Sequence, residues 1–272
     1  MPILTSIESL DKSNIIDTQN KPIIVHASDL NSYYCKYHNV GTAHRLFKEY
    51  LIACFLPYWH FYHAPFALIK VLPEHIPVDL TIPKNRFDAP CFGLQKIKDA
   101  FDLNKVTEGV LVNSKEKEAL RATVLKLAFF DIWTCNEDRH SNNYNLLVQS
   151  ANNKYILYPI DHEACFNCQN LERGLVSITY EDSLFYSSFF RNLFKSNKFT
   201  NRSRLEKLKQ YFYLCALDCR KYINFYLQGI PQEWNVDTAN KEAELNRFLL
   251  NNEWYEECWH TFLQFLENFA SE

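Results

Sequence analysis

The chain has 272 residues, 47% hydrophobic and 22% charged, enough to bury a real core as one large domain or two lobes. Its 29 basic and 32 acidic residues leave a net charge of −3 with no long like-charged run, which argues against nucleic acid or an anionic membrane as a partner. Nine cysteines in a long chain, an opening "MPILTSIESLDKSN" without a leader pattern and no apolar run of membrane-spanning length point to reduced thiols and a cytoplasmic setting.

In chain order, "PIIVH" and "SYYCKYH" predict two short strands around the turn "SDLNS". Residues 42–56, "TAHRLFKEYLIACFL", carry helical spacing, with Leu46, Tyr50, Ala53 and Cys54 on one face and Thr42 as N-cap. A strand follows over 63–72, then a proline-rich loop to residue 90, then strand character in "CFGLQKI". Ser114 with Glu116 to Glu118 opens a long helix reaching about Cys135. "NLLVQS" and "KYILYPI", separated by "ANN", read as a tight hairpin. Helices are expected over about 180–195, 202–228 and 240–269. The order predicts an α+β fold: a small β-rich N-terminal lobe with one helix over 1–97, then a mainly helical lobe over 98–272.

The chemistry concentrates in "NEDRHSNN" and "LYPIDHEACF". Phosphoryl transfer from a nucleoside triphosphate needs few parts: a carboxylate to orient the acceptor hydroxyl, hard oxygens to hold magnesium and a cation on the phosphates. Asp138 followed by Asn143 fits the carboxylate–amide pair on one loop, and Asp161 ends the next hairpin strand. Taken singly, each has a plainer reading, since Asp and Asn favour caps and turns. The succession helix, loop, hairpin, Asp is rarer. Upstream, Lys36 on a strand and Glu49 on the following helix form a candidate ion pair that would aim the ammonium at phosphates; separately, they read as a snorkelling edge lysine and a surface acid. The CxxC of Cys165 and Cys168 lacks a second ligand pair, so cysteine metal binding is not favoured.

The order strand Lys, helix Glu, D-x-x-x-x-N loop, hairpin, Asp resembles the protein-kinase-like superfamily in its atypical branch. "NEDRHSNN" and "IDHEACF" resemble both phosphoinositide kinases and the bacterial HipA-like serine/threonine kinases, and the compact chain looks most like a free-standing HipA-like domain. The resemblance covers roughly residues 15–190. It implies a two-lobed kinase-like fold using ATP and Mg2+. It makes Asp138 the catalytic aspartate, His140 a loop residue that braces or touches phosphates, Asn143 and Asp161 the metal ligands, and Lys36 with Glu49 the phosphate-binding pair. It makes residues 91–97 the connector facing adenine, with Phe92 and Leu94 as apolar walls.

Two departures stand out. "SDLNS" has no glycine where many kinases have a glycine-rich loop, leaving Ser28 and Ser32 to replace those contacts, and His162 and Glu163 follow Asp161 where a glycine commonly stands two places on. The resemblance implies an unidentified protein substrate, and an antitoxin partner if the kinase is a toxin. A small-molecule or lipid kinase, a catalytically dead binding module and a divalent-metal nuclease are the alternatives. The segment after Asp161, with one Arg and two Glu, argues against lipid headgroups, and the slightly acidic chain argues against a nuclease.

Overall fold

The computed structural model describes residues 3–18, 20–38, 43–112, 115, 117–152, 154–169, 171–195 and 201–271. The chain forms two compact units, each made of several stretches. The first comprises Met1–Cys54, His63–Lys98 and Phe225–Thr238; the second comprises Phe55–Tyr62, Asp99–Asn224 and Ala239–Glu272.

The first unit is built on five strands: β1 (Ile3–Thr5), β2 (Ile23–His26), β3 (Ser32–Lys36), β4 (Phe66–Lys70) and β5 (Cys91–Gln95), with α1 (Ala43–Phe55) between β3 and β4. The order across the sheet is β1-β4-β5-β3-β2, with β1 parallel to β4 and the other pairs antiparallel. Alternation gives the sheet two faces. Ile23, Val25, Tyr33, Cys35, Ala67, Ile69 and Cys91 pack into one buried cluster. On the same face Gly93 has no room for a side chain, because a Cβ there would meet Ile69 Cδ1 at 2.7 Å and Tyr33 Cβ at 3.1 Å.

The segment 225–238 packs onto α1 and the sheet. Trp234 Nε1 donates to Pro90 O at 2.7 Å, its ring stands edge-on to Tyr50 at 6.2 Å, and Tyr50 Oη donates to Tyr226 O at 3.0 Å. Gly229 leaves the space that the Tyr50 hydroxyl occupies; any Cβ would collide with it.

In the second unit β6 (Ala100–Asp102), β7 (Leu146–Ala151) and β8 (Lys154–Pro159) form an antiparallel sheet in that order. The β7–β8 turn is tight, with Ala151 opposite Lys154 and Asn152 at φ 52°, a conformation asparagine tolerates. The helices of the chain after β6 are α2 (Glu108–Val112), α3 (Lys117–Thr134), α4 (Ser188–Phe194), α5 (Arg202–Lys221), α6 (Ile223–Leu227), α7 (Thr238–Phe248) and α8 (Asn252–Ser271); the division between units falls inside α6 and just after α7 begins. The core is ring-rich: Phe129 of α3 stacks on Phe212 at 4.8 Å and meets Phe262 edge-on at 5.4 Å. Trp254 Nε1 donates to Trp133 O at 2.9 Å, so the buried indole keeps a partner.

The expected caps Thr42, Ser114 and Glu116 lie outside the described residues. Helix lengths differ from expectation for local reasons. The expected helix over 180–195 is a 3-10 turn at Leu184–Tyr186 followed by α4, because the Ser183 and Ser187 hydroxyls bond back to Tyr180 O and Leu184 O while Ser187 also caps Phe190 N. The span 240–269 breaks into α7 and α8 where Asn251 Oδ1 accepts from Trp254 N at 2.8 Å. Strands β1 and β6 were not expected; each has only three residues and lacks a readable alternation. All nine cysteines are free thiols, and no helix among the described residues is long and apolar enough to cross a membrane.

Candidate active site

In the first unit the strand register gathers the expected residues. Lys36 pairs with Phe92 and Tyr34 with Leu94 across β3–β5, and Ser32 pairs with His26 across β2–β3. Directly paired residues share a face, so Ser32, Lys36, Phe92 and Leu94 all lie on the face opposite the buried cluster. Lys36 Nζ donates to Glu49 Oε1 at 2.6 Å; the lysine side chain is 18% exposed and the glutamate wholly buried. Phe92 is buried against the Phe66 ring at 5.8 Å, and Leu94 is half-buried.

The turn between β2 and β3 does without glycine. Leu30, 84% exposed, takes the left-handed conformation at φ 65°. Asp29 ties the turn by accepting from Asn31 N, Asn31 Nδ2 and Tyr33 Oη at 3.1, 2.9 and 2.7 Å. Ser28 Oγ accepts from Thr5 N at 3.3 Å, and Ser32 Oγ lies 2.9 Å from His26 Nδ1, so both hydroxyls already have protein partners.

In the second unit the loop begins where α3 ends. Cys135, at φ 49°, stands where a glycine usually terminates a helix, and Asn136 N reaches back to Asp131 O at 2.9 Å. The next residues form a small turn closed by His140 N to Asn143 O at 3.0 Å and Asn143 N to His140 O at 3.1 Å. His140 Nδ1 accepts from Asn142 N at 3.2 Å, which puts the proton of the neutral ring on Nε2.

Asp138 is the centre of the loop. Its Oδ2 accepts from Asn143 Nδ2 and Asn145 Nδ2, both at 2.9 Å. That donation turns the Asn143 amide oxygen away from Asp138, where a hard cation could take it. Asn145 is not among the candidates read from the sequence, since it lies two residues beyond "NEDRHSNN". Ile160 N donates to Asn145 O at 3.0 Å, and Leu146 pairs with Pro159, so the hairpin returns Asp161 to the loop. Asp161 itself has φ 56°.

Arg139 holds this arrangement from behind. It is wholly buried and donates through Nε to Asp131 Oδ1 at 3.2 Å, with Oδ2 at 3.0 Å. Its Nη1 bonds the carbonyls of Tyr144, at 3.0 Å, and Asn145, and its Nη2 lies 3.5 Å from His162 Nδ1. Burial pushes the Asp131 carboxyl up to about 6, against the pull of Arg139 and Asn136. Beyond Asp161, Phe166 N and Asn167 N bond Thr134 O and Cys135 O, and Asn167 Nδ2 donates to Glu137 Oε1 at 2.7 Å, fixing this stretch to the end of α3.

A pocket of about 430 Å³ opens beside the loop, with Asp102 to Val106 on one wall, Ser141 to Leu146 on the other, and Ile160. The hard oxygens of Asn143 and Asp161 in one unit suit magnesium, which keeps several waters and needs few protein ligands.

The mixed architecture, a β-sheet unit with a lysine–glutamate pair and a helical unit with this loop and hairpin, is a protein-kinase-like fold. A family model for HipA-like kinases matches residues 10–253, and the chain belongs to that family. Among solved structures it is similar to the Helicobacter pylori proinflammatory kinase CtkA, with a TM-score of 0.55 over 100% of both chains at 10% sequence identity, a likeness of fold. Comparison with curated proteins finds no sequence match.

Proposed function

We propose that this chain is an ATP- and magnesium-dependent kinase that phosphorylates a serine or threonine of a protein. The observation that carries the reading is the carboxylate of Asp138, held through Oδ2 by two amides. Its other oxygen, Oδ1, has no hydrogen bond among the described residues and would receive the acceptor hydroxyl. Asn143 and Asp161 would hold magnesium, which offsets charge on the phosphates. Lys36, steadied by Glu49, would draw charge from the phosphates, and Phe92 and Leu94 would border the adenine. His140 would brace the loop.

A protein acceptor is favoured over a lipid because the residues after Asp161 offer one arginine and two glutamates to an anionic headgroup. A cytoplasmic toxin held by a protein antitoxin is the physiological form of this reading. The test is labelled ATP with magnesium on the purified chain, read by intact mass and nucleotide turnover. Asp138→Asn should still bind ATP and lose transfer by roughly 10²–10⁴-fold. Equal turnover in both proteins would remove the proposed role of Asp138. Growth arrest on bacterial expression should disappear with the same change; equal arrest would favour a binding module.

A further inference from the structure

Behind the catalytic loop lies a buried carboxylate that the reaction does not touch. Glu108 opens α2 and is 8% exposed. A carboxylate removed from water needs donors, and the second unit supplies them. Tyr144 Oη donates to Oε2 at 2.7 Å, Ser188 Oγ to the same oxygen at 3.0 Å, and Asn192 Nδ2 to Oε1 at 3.5 Å. No cation pairs with it among the described residues. The cluster therefore joins α2, α4 and the loop through neutral donors.

Tyr144 occupies the position between Asn143 and Asn145, the two amides that hold Asp138. Its ring packs on Phe189 at 5.8 Å, and its hydroxyl is the part anchored to Glu108. The chain leading into Glu108 is itself stiff. Asn104 Oδ1 accepts from Val106 N and Thr107 N at 2.9 and 3.0 Å, and Thr107 Oγ1 donates to Asp102 O at 3.0 Å. This stretch is one wall of the 430 Å³ pocket, and the loop is the other. Glu108 thus ties the two walls together at their base, while Lys105 Nζ reaches Asn142 Oδ1 at 3.1 Å at the exposed rim.

We propose that Glu108 is a positioning residue for phosphoryl transfer: by accepting the Tyr144 hydroxyl it sets the angle at which Asn143 and Asn145 present Asp138 to the acceptor. The inference rests on the kinase reading above. Its physical basis is the steep dependence of transfer on geometry, where a displacement near 1 Å costs on the order of 10²-fold. Nucleotide affinity depends less on this anchor, because phosphate charge is met by other groups.

The variant that isolates the anchor is Tyr144→Phe, which keeps the ring and leaves Glu108 its bonds from Ser188 and Asn192. Its kcat for magnesium-ATP-dependent transfer should fall by about 10–100-fold with KM for ATP within about twofold. Hydrogen exchange over residues 138–146 should quicken. Glu108→Gln, whose amide oxygen still accepts from Tyr144, should keep most of the wild-type kcat, whereas Glu108→Ala should behave like Tyr144→Phe. An active wild type with an unchanged kcat in Tyr144→Phe overturns the positioning role alone, even if exchange quickens, since that would be a merely structural bond. A well-folded wild type without any transfer overturns the kinase reading, and this role with it.

Discussion

Each unit has a pair between a cation and a carboxylate among its candidate site residues or directly behind them, Lys36 with Glu49 and Arg139 with Asp131, and the two are built for different ends. In the sheet unit Lys36 meets Glu49 at 2.6 Å but keeps 18% of its side chain exposed. In the helical unit Arg139 and Asp131 are both buried, and the guanidinium is used up on a carboxylate, two loop carbonyls and His162. A compact ammonium on a partly open strand can still meet a ligand. A fully engaged guanidinium can only hold the loop. Sequence placed the arginine in the most catalytic-looking string of the chain, yet burial makes it scaffold.

The largest effect expected from this contrast is in Arg139→Met. It leaves Asp131 buried without its cation and should cost about 3–5 kcal/mol in urea unfolding at pH 7. The deficit should shrink as pH falls towards 5. Asp131 titrates at about 6 in the folded protein and about 3.9 when unfolded, so the folded state holds more protons between those values. Stability from this group therefore falls as pH rises through that window, and without the arginine the window moves higher. Unchanged stability in Arg139→Met would erase the distinction between the pairs.

Lys36→Arg sharpens the other side. The charge beside Glu49 remains, so stability should shift by much less than the loss of a buried carboxylate's cation would cost. The broader guanidinium cannot place a point charge as the ammonium does, and transfer should fall roughly 10–100-fold. Full activity in this variant, measured by ATP turnover, would mean that Lys36 is not a phosphate ligand.

A third cation tests what happens without a carboxylate. Lys126 donates to His60 O at 2.8 Å and lies 4.6 Å from the Phe61 ring centroid, and burial lowers it to about 8. The unfolded lysine titrates near 10.4, so the unfolded chain holds the extra proton between about 8 and 10.4 and stability should rise with pH across that range. The nearby Cys215 thiol, raised to about 11, works in the opposite sense. Measuring wild type against Lys126→Met separates the two; a difference that stays flat or falls from pH 8 to 10 contradicts the assignment.

The smallest effect concerns the turn at Leu30. Leu30→Gly removes the cost of a left-handed leucine, about 1–2 kcal/mol, but adds backbone entropy to the unfolded chain. A net gain below about 1 kcal/mol in urea unfolding is expected; a clear loss would show that the exposed leucine has a packing role.

Much of the candidate site is legible in the sequence because its signals are local. Alternation in "SYYCKYH" marks β3 and helical spacing marks α1, so the pairing of a lysine and a glutamate on consecutive elements is legible in the sequence alone. Asp138 and Asn143 are five residues apart on one turn, and their contact follows from that spacing. Asn145 escaped because the backbone must curl back to bring its amide to the same oxygen; at φ 45° it lies in the left-handed region, which spacing does not reveal. Glu108 escaped for another reason: nothing in a five-residue helix says that its first carboxylate is buried.

Sequence by itself determined the type of the longer elements and named the candidate site residues, because these depend on neighbours within one turn or strand. Tertiary structure alone decided which of them share a surface. Lys36 faces the same way as Phe92 because β3 and β5, far apart in the chain, pair in one register out of several. Residues 225–238 join the sheet unit because Trp234 and Tyr50 find each other and Gly229 leaves room. Arg139 is structural because Asp131 is buried beside it. Register and burial depend on contacts between distant segments, and no local pattern carries that information.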